Sequence, residues 1–205
     1  MSERRDRFHG SHPWAESKLA PKASPPKVYS PVDLNAFKKG MRQLSAAVTV
    51  VTTGLDAQRR AGLTATAVCS VSAEPPLLLA CINRQGAAYA RILEWGNFCV
   101  NVLSHDQIGI AKRFAGLEGG PHPERFEHAQ WETLATGAPV LAGCLANFDC
   151  RVHQEIASGT HSIFIGAIAA ISVNKGQEPL AFLNGQYLKL ETGRRIADAT
   201  LWDWS

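Results

Sequence analysis

Residues 144–153 alternate without a break: Cys144, Ala146, Phe148, Cys150 and Val152 stand on one parity, and Leu145, Asn147, Asp149, Arg151 and His153 on the other. Side chains of an extended chain point to opposite faces in turn, so this run is a strand with one apolar and one mostly polar face. A turn at Ser158 and Gly159 leads into "GTHSIFIGAIAAISV", and "PLAFLNGQYLKL" adds a last long strand with a turn or bulge at Asn184 and Gly185. Long strands with exposed edges are costly to leave open. The pattern therefore predicts a mainly β chain with a few helices, its sheet closed into a barrel.

The upstream half alternates helix and strand signals. Asp33 is a candidate N-cap for a helix that carries Leu34, Phe37, Met41 and Leu44 on one stripe. "AVTVVTT" (47–53) is rich in β-branched residues and reads as a strand, and the polar turn "GLDAQRR" follows. "LLLACI" (77–82) reads as a buried strand, "AAYARILEW" (87–95) as a helix closed by Gly96, and "FCVNVL" (98–103) as another strand. Ser104 with Gln107 forms a capping-box start for a helix through "DQIGIAKRFAG" that stops at Gly116. Residues 117–138 read as a connection of little regularity, and no internal repeat is evident.

One domain is expected over residues 31–192, since 205 residues suffice for one substantial core. Residues 1–30 hold Pro13, Pro21, Pro25 and Pro26 and no apolar periodicity, so they read as a flexible tail. Residues 193–205 form a C-terminal extension with Trp202 and Trp204. The net charge of +3 resides entirely in the first 30 residues, six Lys or Arg against Glu3, Asp6 and Glu16. The rest is neutral, without a basic stripe, so nucleic-acid binding has no electrostatic support. No apolar run approaches the roughly 20 residues of a membrane span, so no membrane partner is expected. Cys69, Cys81, Cys99, Cys144 and Cys150 include no CxxC pair and read as buried reduced thiols of a cytoplasmic protein rather than as metal ligands.

Catalytic constellations are missing. There is no GxSxG, HExxH, P-loop or GxGxxG, and the carboxylates are scattered. What stands out is "GLTATAVCSVSAEPPLLLACIN" (62–83), which has no His, Lys, Arg or Asp. Along an extended chain Thr64, Thr66 and Ser70 share one face, while Ala65, Ala67 and Cys69 keep the other face small. A planar ligand with polar edges can approach such a main chain closely, although a Thr-rich strand inside an ordinary sheet has the same pattern.

Six collinear blocks, "LSAAVTVVTT", "GLTATAVCSVSAEPPLLLACIN", "FCVNVLSHDQ", "AKRFAG", "GAPVLAGCLANFDC" and "GTHSIFIG", closely resemble the short-chain flavin reductase family. The likeness is greatest to the reductase components of two-component flavin-dependent monooxygenases such as that acting on para-hydroxyphenylacetate, and it spans about residues 33–190. The resemblance implies a homodimeric, FMN-binding split β-barrel. It implies an NADH- or NADPH-dependent enzyme that reduces FMN or FAD and supplies reduced flavin, by diffusion, to a separate oxygenase component.

Carried over by position, the resemblance lays Thr64, Ala65, Thr66 and Ala67 along the flavin ring and Ser70 near its phosphate. Cys81, Ile82 and Asn83 would sit beside the flavin, with Ala88 near the phosphate. Many relatives have a hydroxyl around Ala87 and Ala88, and its absence here leaves the phosphate contacts and the choice of FMN or FAD open. Arg113 and Phe114 match a pair beside the phosphate, where a planar guanidinium suits the anion. Gly159, Thr160 and His161 match a Gly-x-His motif bordering the nicotinamide, with His161 the candidate catalytic residue and Tyr187 in the same pocket. No metal is implied. Reduction of another acceptor such as a corrinoid, or flavin binding without turnover, are the alternatives.

Overall fold

The structure, a computed structural model, describes residues 32–118, 120 and 122–190. In chain order its elements are α1 (Leu34–Met41), β1 (Ala46–Ala47), β2 (Thr49–Thr53), β3 (Ala61–Ala65), β4 (Val68–Ala73), β5 (Pro76–Asn83), α2 (Ala87–Trp95), β6 (Asn97–Val102), α3 (Ile108–Phe114), β7 (Trp131–Thr133), β8 (Pro139–Leu141), β9 (Ala146–Ser158), β10 (His161–Val173), β11 (Leu180–Leu183) and β12 (Gln186–Lys189). The local signals act as expected. Asp33 Oδ2 accepts the Ala36 amide at 3.0 Å, Gly96 ends α2 in the left-handed region, and Ser104 and Gln107 form the capping box. Asn184 and Gly185, both at positive φ, make the β11–β12 hairpin turn. Among the described residues no helix is long and apolar enough to cross a membrane.

Seven strands form one antiparallel sheet in the order β3-β2-β6-β9-β10-β5-β4. The closed barrel expected from the strand pattern is not found: β3 and β4 are edges and do not pair with each other. Laid flat, six interstrand spacings would hold these edges about 29 Å apart. Ala65 and Val68 are three residues apart in the chain, which spans at most about 11 Å. The sheet is therefore curled until its two edges meet at the corner Thr66–Ala67, and Val51, Leu78, Ala80, Ile82, Phe98, Val100 and Phe164 pack as a core. The long strands β9 and β10 bridge the curl, with irregularities between Ile165 and Gly166 and between Ile168 and Ala170. Gly166 is required there, because a Cβ would lie 2.5 Å from the Phe98 ring.

Four expectations need correction. Residues 64–70 are not one strand but the end of β3, a two-residue corner and the start of β4. The polar face of β9 is not solvated: Asn147 and Asp149 are buried beneath the segment Thr136–Leu141. There Asn101 accepts from Leu141 N and Asn147 Nδ2, both at 2.8 Å, and donates to Val50 O and Thr52 Oγ1. Asp149 accepts the Thr136 amide at 2.7 Å and the Thr136 hydroxyl. Burial of polar groups is tolerated because each finds partners. The connection 117–138 is more ordered than expected, with a 3-10 turn over His122–Phe126 and a β7–β8 ladder. Cys99, Cys144 and Cys150 are buried, but Cys81 is half-buried and Cys69 exposed. The stripe Leu34, Phe37, Met41 and Leu44 is exposed. Residues 1–30 and 193–205, with the tail and the two tryptophans, lie outside the described residues.

Candidate functional site

The corner where the sheet edges meet is walled by two helix ends. Gly62, Leu63 and Thr64 of β3 face Ile82 and Asn83 at the end of β5, with Gly86, Ala87 and Ala88 at the start of α2 and Phe114 and Ala115 at the end of α3. Arg125 and Gln85 complete a cleft of about 370 Å³. Thr64 and Ala115 also line an adjoining hollow of about 200 Å³ with Val48, Ala65, Thr66, Phe182 and Tyr187.

Each wall has a local cause. A Cβ on Gly62 would lie 2.7 Å from Phe114 Cε1, so glycine is what lets the ring lie against β3. Phe114 meets Phe126 edge-on at 5.0 Å between centroids and Trp131 at 5.8 Å, and Trp131 Nε1 donates to Phe126 O at 2.8 Å. The Thr64 hydroxyl donates to Ala111 O at 2.6 Å, tying α3 to β3. Asn83 Oδ1 accepts the Gln85 amide at 2.9 Å, and Gly86 N donates to Asn83 O at 3.2 Å, forming the turn that starts α2. Gly86 gives no side-chain cap, so the first amides of α2 keep their partial positive charge for the cleft. Arg125 Nε donates to Gly120 O at 3.2 Å, and no carboxylate of a described residue lies within 4.0 Å of its guanidinium.

The structure brings most of the sequence-derived candidates together. Thr64, Ile82, Asn83, Ala88 and Phe114 line the cleft, and Ala65, Thr66 and Tyr187 the adjoining hollow. Ala67 and Cys81 lie next to them but line neither; Ala67 O accepts the Cys81 amide at 3.0 Å. Burial pushes the Cys81 thiol up, and the neighbouring Cys69 adds to the shift. His161 stands opposite Asn83 in the β10–β5 register. Thr160 O accepts the Arg84 amide at 3.0 Å, its hydroxyl lies 2.9 Å from His161 Nδ1, and Gly159 turns the chain at φ 60°. Tyr187 packs edge-on against Phe182 at 5.3 Å. Burial, with Glu118 adding to it, raises its phenol, which stays a neutral donor.

Two candidates stand apart. Ser70 lies beyond the corner, on β4, and lines a different, apolar hollow. Arg113 lines neither part of the cleft, its Nη1 donating to Glu127 O at 2.9 Å. Gly62, Gln85, Gly86, Ala115, Arg125 and Phe182 were not expected. For one of them a signal was available: "KRF" at 112–114 recurs as "ERF" at 124–126. The two phenylalanines meet edge-on, and it is the second arginine that enters the cleft.

Small side chains, backbone amides, aromatic edges and one cation without a carboxylate partner suit a flat cofactor that ends in an anion. Among the described residues no group of three metal-ligating side chains occurs. Fold and site thus define a protein suited to holding a cofactor at the corner of its sheet. The chain belongs to the flavin reductase like domain family, whose model matches residues 41–191. It is 45% identical over 156 residues to the FMN reductase (NADH) RutF 2 of Methylorubrum extorquens, covering 76% of this chain and 89% of that protein. The solved flavin reductase PheA2 superposes with a TM-score of 0.71 at 34% identity, covering 78% of this chain and 99% of that one. BorF, the flavin reductase component of a bacterial two-component tryptophan halogenase, gives 0.71 at 33% identity, covering 77% and 98%.

Proposed function

We propose that this chain is an NADH-dependent flavin reductase that binds FMN, or FAD, in the corner cleft and releases it reduced to a separate oxygenase component. The cleft carries this reading: a hollow bounded by Tyr187, Thr66 and Ala65 adjoins one bounded by a helix start and Arg125. That order matches a ring followed by a phosphate. Bound flavin supplies the redox chemistry, accepting hydride from the reduced nicotinamide. The protein's residues align and surround it. β3 limits the thickness of the ring site, and Tyr187 offers a neutral hydroxyl at its edge. Backbone amides at the corner would stabilise negative charge on the reduced ring. Exposed His161, beside Asn83, would orient the coenzyme at the mouth without moving a proton.

Two further assignments support the same reading. A homodimer is proposed because β5 is apolar on both faces, as doubly buried strands are. Its inner residues Leu78, Ala80 and Ile82 are in the core, whereas Leu79 and Cys81 form half-exposed rows with Ile165 and Ile163, and Ile156 is 41% exposed. Thiols without disulfides among the described residues fit the cytoplasm. The activity is tested by adding FMN to protein and NADH. Flavin-dependent loss of NADH absorbance is the expected result, and no such loss would refute the reading. Sedimentation should give twice the chain mass.

A further inference from the structure

Of the seven described arginines other than Arg125, none lines the cleft, and five have their guanidinium groups engaged elsewhere. Arg59 and Arg91 pair with Glu94, Arg113 donates to Glu127 O, and Arg60 and Arg84 lie over the Phe126 and Tyr89 rings. Arg125 differs. It lines the cleft, spends only Nε on a backbone carbonyl, and has no carboxylate of a described residue within 4.0 Å. Its position is fixed from next door: Phe126 is wedged between Phe114 and Trp131, and the Trp131 indole holds its carbonyl.

A half-buried guanidinium with no carboxylate of a described residue beside it keeps its Nη donors for an anion. Arg125 lines the part of the cleft that Tyr187 and Phe182 do not, so the anion it can reach belongs to the far end of a ligand whose ring lies in the adjoining hollow. A phosphate monoester offers several oxygens to the fork of a guanidinium, whereas an uncharged ribityl chain offers none of comparable strength. We propose that Arg125 is the specificity-determining residue that makes this site select phosphorylated flavins over unphosphorylated flavin. This rests on the flavin reading above and names the group, outside the sequence-derived candidates, that recognises the phosphate.

The test measures dissociation constants for FMN and riboflavin by flavin fluorescence quenching with no nicotinamide present, so turnover is not needed. The ratio of the riboflavin constant to the FMN constant should fall about tenfold or more in Arg125→Ala and in Arg125→Gln, through weaker FMN binding alone. Arg125→Lys, which keeps the charge but loses the planar fork, should give a ratio between those of the wild type and the neutral variants. Because both flavins are read on the same preparation, partial misfolding cancels. A ratio within about twofold of the wild type in either neutral variant overturns the proposal, as does equal weakening of both flavins, which marks a merely structural arginine. A wild type that binds neither flavin fails the flavin reading, and this proposal with it.

Discussion

The ends and the middle of "GLTATAVCSVSAEPPLLLACIN" line two hollows of similar size and opposite character. Gly62, Leu63 and Thr64 wall a cleft of about 370 Å³ that contains amides and a guanidinium. Val68, Cys69, Ser70, Ser72 and Ala73 wall a hollow of about 400 Å³ whose other sides are Leu77, Leu78, Val100, Val102, Phe148, Ile168 and Ile171. The strand residues themselves are alike, mostly small or hydroxyl-bearing, with Leu63 on one side and Val68 on the other. What differs is the backing. α2 and α3 pack on β3 and bring their ends to the cleft, whereas β4 is an edge strand paired with β5 alone. The polarity of a site made from such residues is supplied by its neighbours.

The largest break in this comparison is expected from filling each hollow in turn. Gly62→Val places methyl groups where Phe114 lies, so FMN binding should weaken about tenfold to 100-fold, with a lower melting temperature. Ser70→Val should leave FMN binding within about twofold. Comparable losses from both would mean that the flavin uses both sides of the corner. A smaller effect should follow Thr64→Val, which removes the 2.6 Å bond to Ala111 O at a cost of about 1 kcal/mol in stability. Denaturant unfolding reads that cost, and unchanged stability would sever the proposed tie between α3 and β3.

The thiols sharpen the contrast between open and covered regions. Cys69, at the open hollow, should react rapidly with a thiol reagent, and Cys99, Cys144 and Cys150 only on unfolding. Burial pushes Cys144 and Cys150 up to about 12. In the unfolded chain such thiols ionise at about 8.5. Their contribution to stability is therefore complete below that pH and is lost as pH rises towards about 12. Melting temperature should fall over this alkaline range, and the Cys144→Ala, Cys150→Ala double variant should flatten the slope. The smallest effect is Ser70→Ala, for which flavin titration and melting should both match the wild type.

Much of this was legible in the chain. The 2.0 period of 144–153, the Asn184–Gly185 turn and the Ser104–Gln107 box are short-range signals, and each produced its element. The extended reading of 64–70 failed because the pairing partners of β3 and β4 differ: β3 pairs with β2, and β4 with β5. No local rule states that. The buried polar face of β9 was hidden for the same reason, since the covering segment Thr136–Leu141 is set by hydrogen bonds to Asn101 and Asp149 that pair residues distant in sequence or across a turn. Most of the candidate site came from residues near the corner. Arg125 was missed because the resemblance pointed to Arg113 in "KRF", whereas it is Arg125, beside the Phe126 that packs on Phe114, that lines the cleft.

By itself the sequence determined that this chain is mainly β, that its stretch 62–83 has no His, Lys, Arg or Asp, and that it resembles the flavin reductases. Those properties follow from side-chain period, residue chemistry and collinear motifs, all readable along one dimension. Only the tertiary structure decided that the sheet curls without closing, that the two ends of the stretch 62–83 rather than the whole of it line the cleft, and that Arg125 enters it. These depend on which distant strands share hydrogen bonds and which rings fill the same space, and neither quantity has a value until the chain is folded.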